Sequence, residues 1–429
     1  MAIDKNRTKD LVAGIDEFFE ASTQKLPEEA RAFLKKSIMG PAFEEIHKLV
    51  HESRPPVLFL IGRSGHGKSS AINALAGKTV SEVGDIKPTT PESIPYLITF
   101  EERYSSWQVV DSRGIFETTR PDGAPDQDAS DHLIEDVKKH RPDVIMHVIA
   151  APEIRNLSND LKLFRKVSKA LKDEVGVRTP SLIVLNKADT LGNPREWPPE
   201  ENARKAALIV DALDYMAGDV LGVRKRNIDL NFPIRGYEID DDTYPGIIPI
   251  CSLDGENWNV DTLSDFIGMH LPDSTLLDFF QAQRRKKQLR KISSALIKRF
   301  SVIASGVGAS PIPLSDFVVL MPLQLLMLSF IGGLSCRPVS KETAYEYLSA
   351  AGLNIAAASG VRYIGQQLAK LIPYAGWATS GSLAGSATYA LGKAAEAYFF
   401  AGKLEKPDDH KLDWEQVQAL PDKPRELED

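Results

Sequence analysis

A mainly parallel six-stranded α/β sheet, with helices on both faces, is predicted for the middle of this 429-residue chain, together with an all-α region drawn from its two ends. Three observations predict it. Between Val57 and about His270, six short apolar runs alternate with polar helical stretches, as strands buried on both faces and joined by crossover helices do. A glycine-rich loop follows the first of these runs directly. From Asp273 onward strand signals stop and only helical periodicities remain.

In chain order, residues 1–53 read as amphipathic helices. Leu11, Ile15, Phe18 and Phe19 fall on one face, and Phe33, Ile38, Phe43, Ile46 and Val50 suggest further ones. Arg54-Pro55-Pro56 closes that segment, since proline cannot continue a helix and restricts the residue before it. Residues 54–272 form the α/β domain. Its runs are Val57–Ile61, Ile94–Phe100, Trp107–Val110, Val144–Ile149, Leu182–Leu185 and Ile247–Cys251. The second is expected antiparallel at one edge, because only a short turn joins it to the third. Residues 273–402 form a helical domain that opens on a basic helix with Arg284, Arg285, Lys286, Lys287, Arg290, Lys291, Lys298 and Arg299. It contains two long uncharged segments, Phe317–Cys336 and Leu371–Gly392. Residues 403–429 are charged and proline-containing, and are expected to lack structure.

The composition narrows the function classes. The chain is 43% hydrophobic and 26% charged, which suits a folded globular protein. A net charge of −7 argues against a nucleic-acid partner for the chain as a whole. Cys251 and Cys336 match no metal spacing and no disulfide framework, so a reducing cytoplasm fits. Residues 1–10 lack the apolar core of a secretory signal.

Gly62-Arg63-Ser64-Gly65-His66-Gly67-Lys68-Ser69 is a complete G-x-x-x-x-G-K-[ST] loop, set between the strand Val57–Ile61 and the helical stretch Ser70–Leu75. Its glycines let successive N–H groups and the helix N-terminus wrap around phosphates. Lys68 is placed to neutralise the β- and γ-phosphates, and the Ser69 hydroxyl to ligate magnesium. Asp111 ends the third run and faces the ligand crevice of such a sheet. There it can hold magnesium through a water, while the Gly114 N–H meets the γ-phosphate. Asn186-Lys187-Ala188-Asp189 ends the fifth run and selects the base: the Asp189 carboxylate can accept from both the ring N–H and the exocyclic amine of guanine. Adenine offers neither donor there. Asn186 would brace the loop, and the Lys187 stem would lie along the base. Ser252, after the sixth run, offers its N–H to the guanine carbonyl. In Lys87-Pro88-Thr89-Thr90-Pro91, Thr90 is preferred over Thr89 as the residue that closes over the γ-phosphate and completes the magnesium shell.

These five elements, in this order, resemble the translation-factor-related P-loop GTPases, close to Era-like, dynamin-like and immunity-related members. The resemblance spans roughly residues 55 to 270. The helical region from about Ser294 to Phe400 is similar to the YcjF-type domain of unknown function, on Pro311-Ile312-Pro313, Leu371-Ile372-Pro373 and Thr388-Tyr389-Ala390-Leu391-Gly392. The resemblance implies hydrolysis of GTP to GDP with magnesium. Ile115 stands where small signalling GTPases place the glutamine that orients water. Turnover is therefore expected to be slow unless a partner or a homodimer through the nucleotide domain supplies the missing group. Arg63 and Arg113 are less suited to the role of arginine finger than to ordinary loop positions, and His66 reads as a loop residue before a catalytic base. A GTP-binding scaffold without turnover, and a ribosome- or RNA-associated factor, are the competing readings.

The two uncharged segments have two explanations. Twenty uncharged residues can span a bilayer, and the basic helix before them can sit on anionic lipid head groups. Residues 284–299 and 317–392 would then contact the membrane. A helix apolar all round is equally at home inside a large soluble bundle.

Overall fold

The computed structural model describes residues 3–79, 94–100, 103, 105–111, 129–156, 158–175, 179–306, 315–353 and 381–424. The chain divides into two compact units. One comprises Pro55–Thr99 and Ser106–Phe279; the other comprises Met1–Arg54, Phe100–Ser105 and Phe280–Asp429.

The first unit is built on one sheet. Its strands are β1 (Val57–Ile61), β2 (Ile94–Phe100), β3 (Ser105–Asp111), β4 (Val144–Ala150), β5 (Ser181–Asn186), β6 (Lys225–Asn227), β7 (Tyr237–Ile239) and β8 (Gly246–Pro249), in the order β2-β3-β1-β4-β5-β8-β7-β6. The pairs β1–β3, β1–β4, β4–β5 and β5–β8 are parallel. The expected six strands are present, and among the described residues the sheet has eight. The added pair, β6 and β7, is antiparallel and extends the sheet beyond β8. Three-residue strands such as Lys225-Arg226-Asn227 carry no apolar run from which to read them. Cys251 is not part of a strand; it forms an isolated bridge with Trp258.

Both faces of the sheet are covered, because every residue of β1, β4 and β5 is buried. On one face Val57, Phe59, Ile61, Ile145, Ile149, Ile183, Leu185 and Ile247 share a core with residues of three helical segments, 129–140, 158–175 and 203–214. The alternate residues, including Leu58, Leu60, Met146 and Val184, are buried on the other. There Phe266 lies so close to Gly246 that a Cβ would stand 2.5 Å from its ring. Such alternation follows from the two-residue period of a strand.

The helices, in chain order, are α1 (Lys5–Thr23), α2 (Glu28–Leu34), α3 (Gly40–Val50), α4 (Lys68–Ala76), α5 (Ala129–His140), α6 (Ser158–Val175), α7 (Ala203–Asp214), α8 (Val260–His270), α9 (Asp273–Gln283), α10 (Lys286–Ser305), α11 (Ser315–Leu334), α12 (Lys341–Ala350), α13 (Gly381–Ala401) and α14 (Trp414–Ala419). In the second unit, Leu11, Ile15 and Phe19 of α1 are buried, as the helical spacing requires. Phe33 is exposed, whereas Ile38, Ile46 and Val50 are buried.

The uncharged run Phe317–Cys336 contains most of α11. Every residue from Leu320 to Leu334 is buried, and α1, α10, α12 and α13 pack around it. A helix covered on all sides is apolar all round because no face meets water. Close packing also demands small residues: a Cβ on Gly332 would stand 2.2 Å from the Thr343 side chain, and one on Gly333 2.3 Å from Val339. Among the described residues, no helix is long and apolar enough to cross a membrane. Residues 371–380 of the other uncharged segment, and Pro311-Ile312-Pro313, lie outside the described residues; its remainder opens α13.

Residues 403–424 correct the expectation of an unstructured tail. They contain a short helical turn, Pro407–His410, and α14. Lys298, nearly buried on α10, pairs with Asp422 at 2.7 Å and donates to the Leu420 carbonyl. Gly385 of α13 faces the Trp414 ring, where a Cβ would stand 2.3 Å from the nearest ring carbon. The anchors are too sparse for composition to reveal them. Gly385→Val is expected to displace α14 at a cost of about 1–3 kcal/mol. Limited proteolysis checks this: cleavage between 403 and 424 should accelerate, and an unchanged digest would contradict the packing.

Candidate nucleotide site

The loop after β1 is shaped by two glycines that no other residue could replace. Gly62 has φ 142°, and a Cβ there would stand 2.2 Å from the Val148 carbonyl oxygen on the neighbouring β4. Gly67 has φ 85°, and a Cβ would stand 2.3 Å from the Asn186 amide nitrogen. Both sit where L side chains are strained and where another group already fills the space. Gly67 is also the N-cap of α4, and no side-chain hydrogen bond caps that helix end. A helix N-terminus presents its first amides and the positive end of its dipole to an anion, and here that end faces the glycine loop.

Lys68 opens α4 and folds back over the loop, its ammonium donating to the Gly62 carbonyl at 2.9 Å and to that of Arg63 at 3.4 Å. Ser69 and Ser70 follow on the same turn. Arg63 points elsewhere: its guanidinium grips Asp160 at 2.7 and 3.0 Å and donates to the Asn156 carbonyl at 3.3 Å. A bidentate pair of that geometry is strong and holds the plane of the fork. It takes Arg63 out of consideration as a free finger. His66 is buried, with Nδ1 3.2 Å from the Val148 carbonyl and Nε2 3.1 Å from the Glu153 carboxylate. One ring nitrogen is engaged with β4 and the other with the β4–α6 connection, so the side chain is a strut of the loop. Glu153 and Asp160 were not legible as part of this site, since acidic residues on a polar stretch have no signature.

Asn186 brings three loops together. Its amide donates to the carbonyls of His66 at 3.1 Å and Gly67 at 3.2 Å, and its oxygen accepts from the Ser252 hydroxyl at 2.8 Å. The glycine loop, the end of β5 and the segment after β8 thus meet on one buried side chain. Lys187 adopts the left-handed conformation, φ 61°, with an exposed side chain. Asp189 follows, half-buried, in a short helical turn. Beside it lies the Cys251 thiol, whose pKa burial, and then the Asp189 carboxylate, push up to about 12, so it remains a protonated thiol at neutral pH. Under the turn, the wholly buried Lys205 of α7 donates to the Asp189 carbonyl at 2.6 Å and to the Leu191 carbonyl. Nothing in the sequence distinguished this lysine from a surface one.

Asp111 ends β3 opposite Leu60 of β1 and is nearly buried at the same end of the sheet. Thr90 and Gly114, like Arg113 and Ile115, lie outside the described residues.

Comparison with known proteins agrees with this architecture. Residues 57–187 match the family model described as 50S ribosome-binding GTPase. GTPase Der of Persephonella marina is 26% identical over 178 residues, 42% of this chain and 35% of that protein. GTPase Der of Prochlorococcus marinus is 26% identical over 167 residues, 38% and 34% respectively. The chain thus spans about a third of the length of these relatives. Among solved structures, an Aquifex aeolicus Era variant bound to GDP and aluminium fluoride aligns over 61% of this chain and 69% of its own, at 20% identity and TM-score 0.30. Toc33 from Arabidopsis thaliana with GDP and magnesium covers 61% and 95%, at 12% identity and TM-score 0.29. The glycine loop on β1, the parallel sheet order and the family match over residues 57–187 together establish that this chain carries a P-loop GTPase domain.

Proposed function

We propose that this domain binds GTP with magnesium and hydrolyses it to GDP and phosphate, slowly when alone. The observation that carries the reading is the Asn186 junction, which ties a phosphate-cradling loop to a base-selecting turn. Lys68 and the amides of Gly65 to Ser70 would hold the phosphates, Lys68 exchanging its carbonyl partners for phosphate oxygens. Asp189 would choose guanine, Lys187 would cover the base and the Ser252 N–H would meet its carbonyl. Ser69, Asp111 and Thr90 fit magnesium by chemistry: a hydroxyl for direct ligation, a nearly buried carboxylate to act through water, and a second hydroxyl. When bound, the ion supplies charge neutralisation on the β- and γ-oxygens.

Hydrolysis requires a water aligned with the γ-phosphate, and Ile115 cannot hydrogen-bond one. Unassisted turnover is expected on the order of 10⁻⁴ to 10⁻² per second. If a second copy supplies the missing group, single-turnover rates should rise with protein concentration; a rate flat across a hundredfold range would reject pairing, and no phosphate release at all would leave a GTP-binding scaffold. Nucleotide state has a covalent route to the helical unit. The chain crosses between units four times, at 54/55, 99/100, 105/106 and 279/280, and two of these crossings flank the β2–β3 connection. Inside the helical unit that connection is held by Gln281, which donates to the carbonyls of Arg103 at 2.5 Å and Ile3 at 3.1 Å.

A ribosomal partner is a second reading, favoured by the description of the matching family. Cosedimentation with ribosomes that depends on GTP and weakens with salt would support it; none at low salt would remove it.

A further inference from the structure

Lys205 occupies a position that physical chemistry disfavours. An ammonium loses its hydration when buried, and in the first turn of α7 it also faces the positive end of a helix dipole. Burial lowers its pKa, against the pull of the Asp189 and Glu196 carboxylates. Two backbone carbonyls, those of Asp189 and Leu191, compensate.

Both carbonyls belong to the base-selecting turn. The near end of that turn is fixed by the Asn186 amide and by the Ala188 N–H, which donates to the Ile250 carbonyl at 3.1 Å. Beyond it the chain turns on itself, Thr190 N–H to Lys187 at 3.0 Å and Leu191 N–H to Ala188 at 3.3 Å. The far end is tied to α7 by Lys205. We propose that Lys205 is a positioning residue for base selection, which holds the Asp189 main chain so that its carboxylate meets both donors of guanine at once. This rests on the GTP-binding reading above. Hypoxanthine lacks the exocyclic amine and uses one of those bonds, so a loosened carboxylate loses guanine affinity faster than hypoxanthine affinity.

The test measures Kd for GDP, IDP and inorganic triphosphate in the full chain, for the wild type, Lys205→Met and Lys205→Gln. Lys205→Met is expected to weaken GDP about tenfold, IDP about threefold or less, and triphosphate not at all. The GDP-over-IDP preference should shrink, and Lys205→Gln, which keeps an N–H donor, should restore part of it. Equal losses for GDP and IDP, or no change in either, overturn the proposal. A wild type that binds no GDP overturns instead the reading on which it rests. Should neither variant fold, amine acylation of the wild type decides, read at Lys205 by mass spectrometry. Labelling should slow about fivefold or more with GDP and stay unchanged with triphosphate, since reaction requires the turn to open; a rate indifferent to GDP overturns the proposal.

Discussion

Asp189→Asn is expected to exchange guanine selection for xanthine selection. On the proposed reading the carboxylate accepts two hydrogen bonds from guanine, whereas an amide presents one acceptor and one donor, leaving the donor against guanine's exocyclic amine. Xanthine has a carbonyl at that position and accepts instead. A site built around a polar pair rejects the mismatched partner strongly, because buried polar groups are then left unpaired. Affinity for GDP should fall on the order of 10²- to 10³-fold and affinity for XDP should rise by a comparable factor. Competition of labelled GDP and XDP for the variant checks this. A variant that loses both nucleotides equally would show that Asp189 holds the turn rather than the base.

Gly67→Ala is expected to damage the phosphate loop through geometry alone. The new methyl would stand 2.3 Å from the Asn186 amide nitrogen, and the backbone φ of 85° is one that alanine adopts with strain. The strain costs about 1–3 kcal/mol, and Asn186 must withdraw from the carbonyls of His66 and Gly67 to make room. Because that amide also accepts from Ser252, the disturbance reaches the base side. Nucleotide affinity should fall about a hundredfold or more while the far-ultraviolet spectrum keeps its helix and strand content. Wild-type affinity in this variant would mean that the Asn186 junction does not shape the pocket.

The parts of the fold legible from sequence are those where one physical signal is enough. β1 begins and ends at the residues that its apolar run marks, because a strand buried on both faces is apolar without interruption. The glycine loop is legible because only glycine can occupy Gly62 and Gly67. Other features were hidden because their determinants are tertiary. Lys225-Arg226-Asn227 is polar and pairs with β7 at the sheet edge, so nothing in its composition announces a strand. The run containing α11 is uncharged whether bilayer or neighbouring helices surround it, and only packing separates the two. The C-terminal segment is anchored where Trp414 meets Gly385 and where Asp422 pairs with Lys298, more than a hundred residues earlier in the chain. In the site, the order of the motifs was readable, while the side chains that hold them were not: Asp160 grips Arg63, Glu153 meets His66, and Lys205 underlies Asp189. Each is an ordinary charged residue on an amphipathic stretch until the fold brings it to a partner.

On the proposed function, one pocket grips a triphosphate and reads a guanine. Isothermal titration of the full chain with GDP, GTP and ATP in magnesium addresses it most directly. Saturable binding of both guanine nucleotides, with ATP weaker by about a hundredfold or more, is the expected result. Equal affinity for ATP, or no heat with any guanine nucleotide, would contradict the proposed function.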